Sequence, residues 1–412
     1  MFTVSLERLQ YRLDTLSHLT DPDLPYTRRA FTERYTQGRS WLEQEFKQAG
    51  LETRTDAGGN LIGRLEGHAS SALVLGSHTD TVNGGGRFDG ILGVLAALEV
   101  AQTLTENGVK LNHSLEVVDF LSEEPSEYAG LSCVGSRAWA GTLSESMLAF
   151  ENAAGERLEQ AMKRVGADLE RVRHGPLRRA DELAVYLELH IEQGPALEGA
   201  GIPIGAVTGI AGIERWKMSV IGRADHAGTT PMKLRKDALV GASSLILELN
   251  ARASATHNIV ATIGVLELSP GAANVVPERV SLLSDTRSID AAALERFNAH
   301  FLEWAGDFLE QSGLRFEFER VSRSMPTPCD PRVLEAIRAG AEKRGYKWLE
   351  LPSGAGHDGA HVARLCPVGM IFVPSVGGRS HTPEELTLER DILAGTEVLL
   401  ETVLELDRTL AL

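Results

Sequence analysis

The chain has 412 residues but only three cysteines, and none of Cys133, Cys329 and Cys366 belongs to a CxxC pair. This excludes a zinc ribbon and a disulfide framework, and it fits a reducing compartment. A basic excess is also missing: 41 Lys and Arg stand against 57 Asp and Glu, a formal net charge of -16. Nonspecific binding to nucleic acid or to anionic membranes needs clustered cations, so the expected partners are neither. The acidity itself is adequately read as solubility. No stretch approaches the ~20 apolar residues of a membrane helix. The start, Met1 to Arg8, lacks a basic segment followed by an apolar run, so no signal peptide is expected and the expected location is cytoplasmic. Internal repeats and low-complexity tracts are absent.

What is present is a hydrophobic content of 43%, enough for a sizeable core, in a chain long enough for two domains. Helical periodicity marks the first fifty residues, including Ser40 to Ala49. Strand patterns follow at Leu51–Thr55, Asn60–Glu66, Ala72–Gly76 and Leu115–Leu121, with a helix at Ile91–Glu106. Residues 140–182 look mostly helical and charged, and a strand at Ala184–Glu188 ends just before His190. From about residue 211 the order is strand Arg215–Ile221, helix Asp237–Ala251, strands Ile259–Leu268 and Arg279–Arg287, helix Ala291–Gln311 and strand Leu314–Val321. That is a complete ferredoxin-like βαββαβ unit. After Pro326-Thr327-Pro328 the chain returns to the first texture and closes on a helix at Asp391–Leu406. The expected class is α/β. A discontinuous main domain, with a mixed sheet flanked by helices, comprises residues 1–210 and 326–412. A βαββαβ domain, 211–325, is inserted in it.

His78-Thr79-Asp80 follows an apolar strand, and Asp89-Gly90 comes eleven residues after the histidine, at the end of a glycine-rich loop. Glu123-Glu124, His190 and His381 also follow strands or lie in turns near strand ends. In open α/β sheets, ligands bind outside the carboxyl ends of the strands, so these dispersed side chains can converge there. Imidazole and carboxylate without thiolate suit Zn, Mn, Co or Ni. Asp89 has two oxygens and can bridge two cations, with Glu124 on one and His190 on the other. Glu123 need not be a ligand and can serve as general base. Asp80, on the same face of an extended segment as His78, can accept the second imidazole N–H. Each residue alone has a plainer explanation: a hydrogen-bonded core histidine, a helix N-cap for Asp89, a solvated edge for Glu123-Glu124. Their joint appearance in this order favours the metal reading.

Seven segments carry a resemblance: GSHTDTVNGGGRFDGILGVLAALE, SEEPSEYAGLSCVGSRAWAG, LELHIEQGPALE, GRADHAGTTPM, PGAANVVP, SGAGHDGAH and PSVGGRSHTPEE. With these the chain resembles the M20 metallopeptidase superfamily, in its amidase/hydantoinase-carbamoylase branch. The resemblance implies two divalent ions per chain, held by His78, Asp89, Glu124, His190 and His381, with Asp89 bridging and Glu123 as catalytic base. It marks His226, Asn274 and Arg287 as substrate-facing residues of an inserted domain that closes over the site and mediates a homodimer. By chemistry, His226 can donate to an oxyanion, Arg287 can grip a substrate carboxylate, and Asn274 can offer its amide to a polar group. The plainer alternatives are a loop histidine bonded to Asp225 or a carbonyl, an ion pair of Arg287 with Asp285, and a turn asparagine. Gln193 is a further candidate for contact with the substrate. Two departures from the branch bear on substrate. Pro125-Ser126-Glu127-Tyr128 has an acidic residue where many relatives are basic. Arg379, before Ser380-His381, can read an anion or pair with Glu384 or Glu385.

The expected activity is hydrolysis of a linear amide or ureido C–N bond in a small molecule bearing a carboxylate. An N-carbamoyl-L-amino acid is the first choice, attacked by a metal-bound hydroxide. Allantoate or ureidoglycolate amidohydrolysis, and N-acyl-amino acid or dipeptide hydrolysis, are the alternatives on the same site. A noncatalytic binding protein of the same fold is the distant one.

Overall fold

The computed structural model describes residues 2–410. The chain forms two compact units. One runs to Thr208, resumes over Cys329–Ser353 and continues from His357; the other comprises Gly209–Pro328 with Gly354–Gly356.

The first unit is built on a nine-stranded mixed sheet whose centre is four parallel strands, in the order His113–Phe120, Ala69–His78, Leu183–Ile191 and Val368–Val373. Antiparallel strands Leu61–Leu65 and Glu52–Thr55 extend one edge, and Ile204–Ile210 extends the other. The parallel strands are buried along most of their length, as expected when helices cover both faces. Helix Ile91–Glu106 packs on three of them and against helix Glu389–Thr409, which is why it is apolar nearly all round. Its one buried carboxylate, Glu99, receives Arg8 at 2.7 Å and Arg12 at 3.4 Å, so the charge is paired. All three cysteines are buried and free.

The second unit is a four-stranded antiparallel sheet in the order Arg315–Ser324, Gly212–Ile221, Arg279–Ser288, Val260–Ser269. Helices Ala238–Ala255 and Ala291–Gln311 supply the two crossovers, giving βαββαβ connectivity. Strand Arg279–Ser288 alternates buried and half-buried positions, so one face is turned to a core. That core holds Met218, Val220, Leu245, Val280, Leu282, Phe301 and Leu309.

Two local expectations, and the plainer alternative for Asp89, need correction. The strand expected to stop at Glu188 continues to Ile191, because Val368–Val373 pairs with it in parallel, Phe372 opposite His190 and Val373 opposite Ile191. His190 therefore sits within the sheet. The charged stretch 140–182 breaks into short helices, Glu145–Leu148, Leu158–Arg164 and Leu169–Arg173, separated by turns at Gly155 and Gly166, both with positive φ. Asp89 is not a helix cap: Gly90 occupies that position, and no side chain caps the helix. Among the described residues, no helix is long and apolar enough to cross a membrane.

Candidate metal centre

Within the first unit the carboxyl ends of the parallel strands gather the sequence candidates. His78 is the last residue of its strand, and His190 is the penultimate residue of the next. Glu123 and Glu124 follow Phe120 through a sharp turn at Ser122 (φ 54). Asp89 lies in the loop before helix Ile91–Glu106, and His381 lies in the loop after Val368–Val373. His381 (φ 55) and Gln193 (φ 58) both hold left-handed backbone that non-glycine residues seldom adopt. Gly90 (φ 68) has a steric role as well: a Cβ there would strike the His78 imidazole.

Two donor sets share Asp89. Ligand atoms of His78, Asp89 and His190 lie within 4.8 Å of one another, and so do those of Asp89, Glu124 and His381. The hydrogen bonds orient the rings. His78 Nδ1 lies 3.0 Å from the Asp80 carbonyl and His190 Nδ1 lies 2.9 Å from the Ile191 carbonyl, so in each neutral ring Nδ1 carries the proton. The opposite nitrogens then turn lone pairs toward carboxylates: His190 Nε2 is 3.1 Å from Asp89 Oδ1, and His78 Nε2 is 3.5 Å from Glu123 Oε2. His381 Nε2 is 3.0 Å from Asp89 Oδ2 and 3.3 Å from Glu124 Oε1. Buried lone pairs facing one another require a proton or a metal cation between them, and the donor set fits divalent metal ions. With a proton in that gap, burial pushes Asp89 up, yet hydrogen bonds from the protonated rings of His190 and His381 hold it well below the usual carboxylate range. Hydrogen bonds that the protonated ring donates to Asp89 and then to Glu124 raise His381 to about 11.

Glu123 is buried, and burial drives its carboxyl well above the usual range, against the pull of His78. The Cys133 thiol lies 3.5 Å from its Oε1. The expected bond between the Asp80 carboxylate and the His78 ring is not formed: that separation is 3.7 Å, and the ring is bonded to the Asp80 carbonyl instead. The carboxylate is engaged elsewhere. Oδ1 accepts the Glu123 N–H and Oδ2 accepts the Glu124 N–H, both at 3.1 Å, so Asp80 holds the backbone of the glutamate pair.

Gln193 Nε2 donates to Asp89 Oδ2 at 2.9 Å, while its Oε1, buried, has no hydrogen-bond partner among the described residues. Arg379 is exposed and pairs with Glu384 at 3.2 Å, the plainer of its two readings. In the second unit, His226 Nδ1 accepts the N–H groups of Gly228 (3.0 Å) and Thr229 (3.3 Å), which leaves the proton of the neutral ring on Nε2. The carbonyl of exposed Asn274 accepts the Ala227 N–H at 3.0 Å, tying the two candidate segments together. Arg287 is bonded to Asp285 through Nε (2.6 Å) and Nη2 (3.2 Å), and its Nη1 donates to the Gly354 carbonyl at 2.8 Å.

Several residues at the site were not singled out from sequence. His357 packs edge-on against His190 at 4.7 Å between ring centroids, and its Nε2 meets Ser353 Oγ at 2.8 Å. Together with Glu188 and His190 it makes a third donor cluster, deeper in the sheet. Burial first, then His190, keep His357 well below its ordinary pKa. Glu188 is held by Ser77 (2.7 Å) and Tyr186 (2.9 Å), and Asp358 by Ser136 (2.5 Å). The signal was present in GHD and in the Glu two residues before His190, yet a single buried acid or histidine has no periodicity to distinguish it.

Residues 74–405 match the model of Peptidase family M20/M25/M40. An N-carbamoyl-L-amino acid amidohydrolase of Geobacillus stearothermophilus is 41% identical over 403 residues, 97% of this chain and 98% of that one. An allantoate amidohydrolase of Bacillus subtilis (strain 168) is 36% identical over 386 residues, 92% of each. Among solved structures, an amidase of the hydantoinase/carbamoylase family from Burkholderia multivorans superposes with a TM-score of 0.91 at 33% identity, covering 100% of both chains. The chain thus belongs to the peptidase family M20/M25/M40.

Proposed function

We propose that this chain is a dinuclear metal-dependent amidohydrolase that cleaves a linear C–N bond, with an N-carbamoyl-L-amino acid as substrate. The observation that carries the reading is the pair of donor sets joined at Asp89, with Glu123 beside them. His78 and His190 on one side and Glu124 and His381 on the other would hold the ions. When bound, Zn, Mn, Co or Ni ions supply Lewis acidity and make a water molecule a competent nucleophile near neutral pH. Glu123 takes the proton of the attacking water and passes it to the leaving nitrogen. Its backbone, clamped by Asp80, keeps the carboxylate in reach of that water. Gln193, with Oε1 unpartnered, accepts from the ureido N–H groups. His226 presents Nε2–H to the oxyanion. Arg287 takes the substrate carboxylate in exchange for part of its pairing with Asp285, and Asn274 offers its amide. The second unit, expected from sequence at residues 211–325 and comprising Gly209–Pro328 with Gly354–Gly356, acts as lid and dimerisation domain. The choice of substrate rests on the names of the relatives, with allantoate or ureidoglycolate as the second reading. A screen of N-carbamoyl, N-acyl, allantoate and ureidoglycolate compounds against the four metals tests it. Ammonia released from N-carbamoyl amino acids is the expected result, and turnover of N-acyl compounds alone would overturn it. Glu123→Gln should lower kcat by about 10²–10⁴-fold with metal content retained.

A further inference from the structure

We propose that Glu385 is a positioning residue that ties the loop carrying Asp89 to the loop carrying His381 and thereby sets the gap the cations span. The proposal rests on the metal reading above. Glu385 is 3% exposed, and its carboxylate faces three donors. Oε1 accepts the N–H of Phe88 at 2.8 Å and the N–H of Asp89 at 3.1 Å, across 297 and 296 residues of sequence. Oε2 accepts the Ser380 hydroxyl at 2.7 Å, and Ser380 Oγ also lies 3.1 Å from Asp89 Oδ2. One carboxylate therefore fixes the main chain at the shared aspartate and the residue immediately before His381. The seat is tight, because a Cβ at Gly86 would overlap the Glu385 carboxyl group. Glu384, its sequence neighbour, points elsewhere and pairs with Arg379. Buried acceptors with charge-assisted bonds to loop N–H groups are strong, and groups behind metal ligands govern affinity through orientation.

The test compares wild type with Glu385→Ala, Glu385→Gln and Gly86→Ala. Binding of Mn2+ and of Zn2+, each alone, is measured by equilibrium dialysis, with kcat and KM alongside. Glu385→Ala should weaken metal binding by about 10–100-fold and lower kcat while KM changes less than about threefold. Glu385→Gln should recover most of the loss, because its carbonyl still accepts the Phe88 and Asp89 N–H groups. Gly86→Ala removes no polar atom but displaces the carboxylate, and it should weaken binding in the same direction. Wild-type affinity in Glu385→Ala overturns the proposal. If that variant does not fold, wild-type affinity in Gly86→Ala overturns it instead. Equal impairment of the Gln and Ala variants, both with the wild-type unfolding midpoint, overturns it too. Failure of the metal reading would show in the wild type itself, as no uptake of either ion; failure of the tie shows only in the variants.

Discussion

Asp80→Asn isolates the role that the structure gives to one buried carboxylate. Each Asp80 oxygen accepts one backbone N–H, from Glu123 and Glu124, at 3.1 Å, and the side chain is 1% exposed. Asparagine keeps the size of the group but turns one acceptor into an NH2, so one buried N–H faces a donor. An orphaned buried donor costs about 1–3 kcal/mol. Asp80→Ala orphans both and should cost roughly twice that, about 2–6 kcal/mol. The strain is relieved only if the backbone of the glutamate pair moves, and a displacement of about 1 Å at a reacting group lowers turnover by about 10²-fold. Urea unfolding of chelator-treated protein reads the first effect, and initial rates at saturating metal read the second. The expected order in both is wild type, then Asn, then Ala. An Asn variant within about 0.5 kcal/mol of wild type, with kcat unchanged, would refute the clamp. A loss confined to metal affinity at His78, with the glutamates undisturbed, would restore the ring-orienting role expected from sequence.

Gly90→Ala places a methyl group against the His78 imidazole at φ 68, so metal affinity should fall sharply while the far-UV spectrum stays that of wild type. Glu116, buried among Arg54 (3.0 Å), Arg64 (3.0 Å) and Arg178 (2.7 Å), is pushed up by burial but carried below its ordinary 4.5 by Arg178 and then Arg54. A lowered folded pKa means stability that is present above 4.5 and lost as pH falls through the folded value. Glu116→Gln should therefore flatten the acid limb of a stability–pH curve and cost about 1–3 kcal/mol at neutral pH, since Arg178 and Arg64 keep Glu182 and Glu66 as partners. Dialysis against a chelator should abolish hydrolysis and lower the thermal midpoint, and re-addition of metal at about 100 times its Kd should restore roughly 2.7 kcal/mol.

Much of the architecture was legible because it is periodic. The strand–helix alternation and the βαββαβ order follow from local patterns of apolar residues, and helix Ala291–Gln311 was bounded as observed. The stretch 140–182 misled because its charged helical texture has no long apolar face, and its turns cut it into pieces too short for periodicity to show. At the site, the residue types and their order at strand ends were readable, since a parallel sheet sends its carboxyl ends to one side.

Which atoms meet was decided only by the folded chain. The Asp80 carboxylate accepts from the glutamate backbone instead of the His78 ring, Glu385 reaches back to Asp89, and His357 lies against His190. From the sequence by itself came the donors and the elements that carry them, because both are properties of near neighbours. These partners came only from tertiary structure, because a buried polar group must take whichever acceptor or donor packing brings to it, from tens to hundreds of residues away.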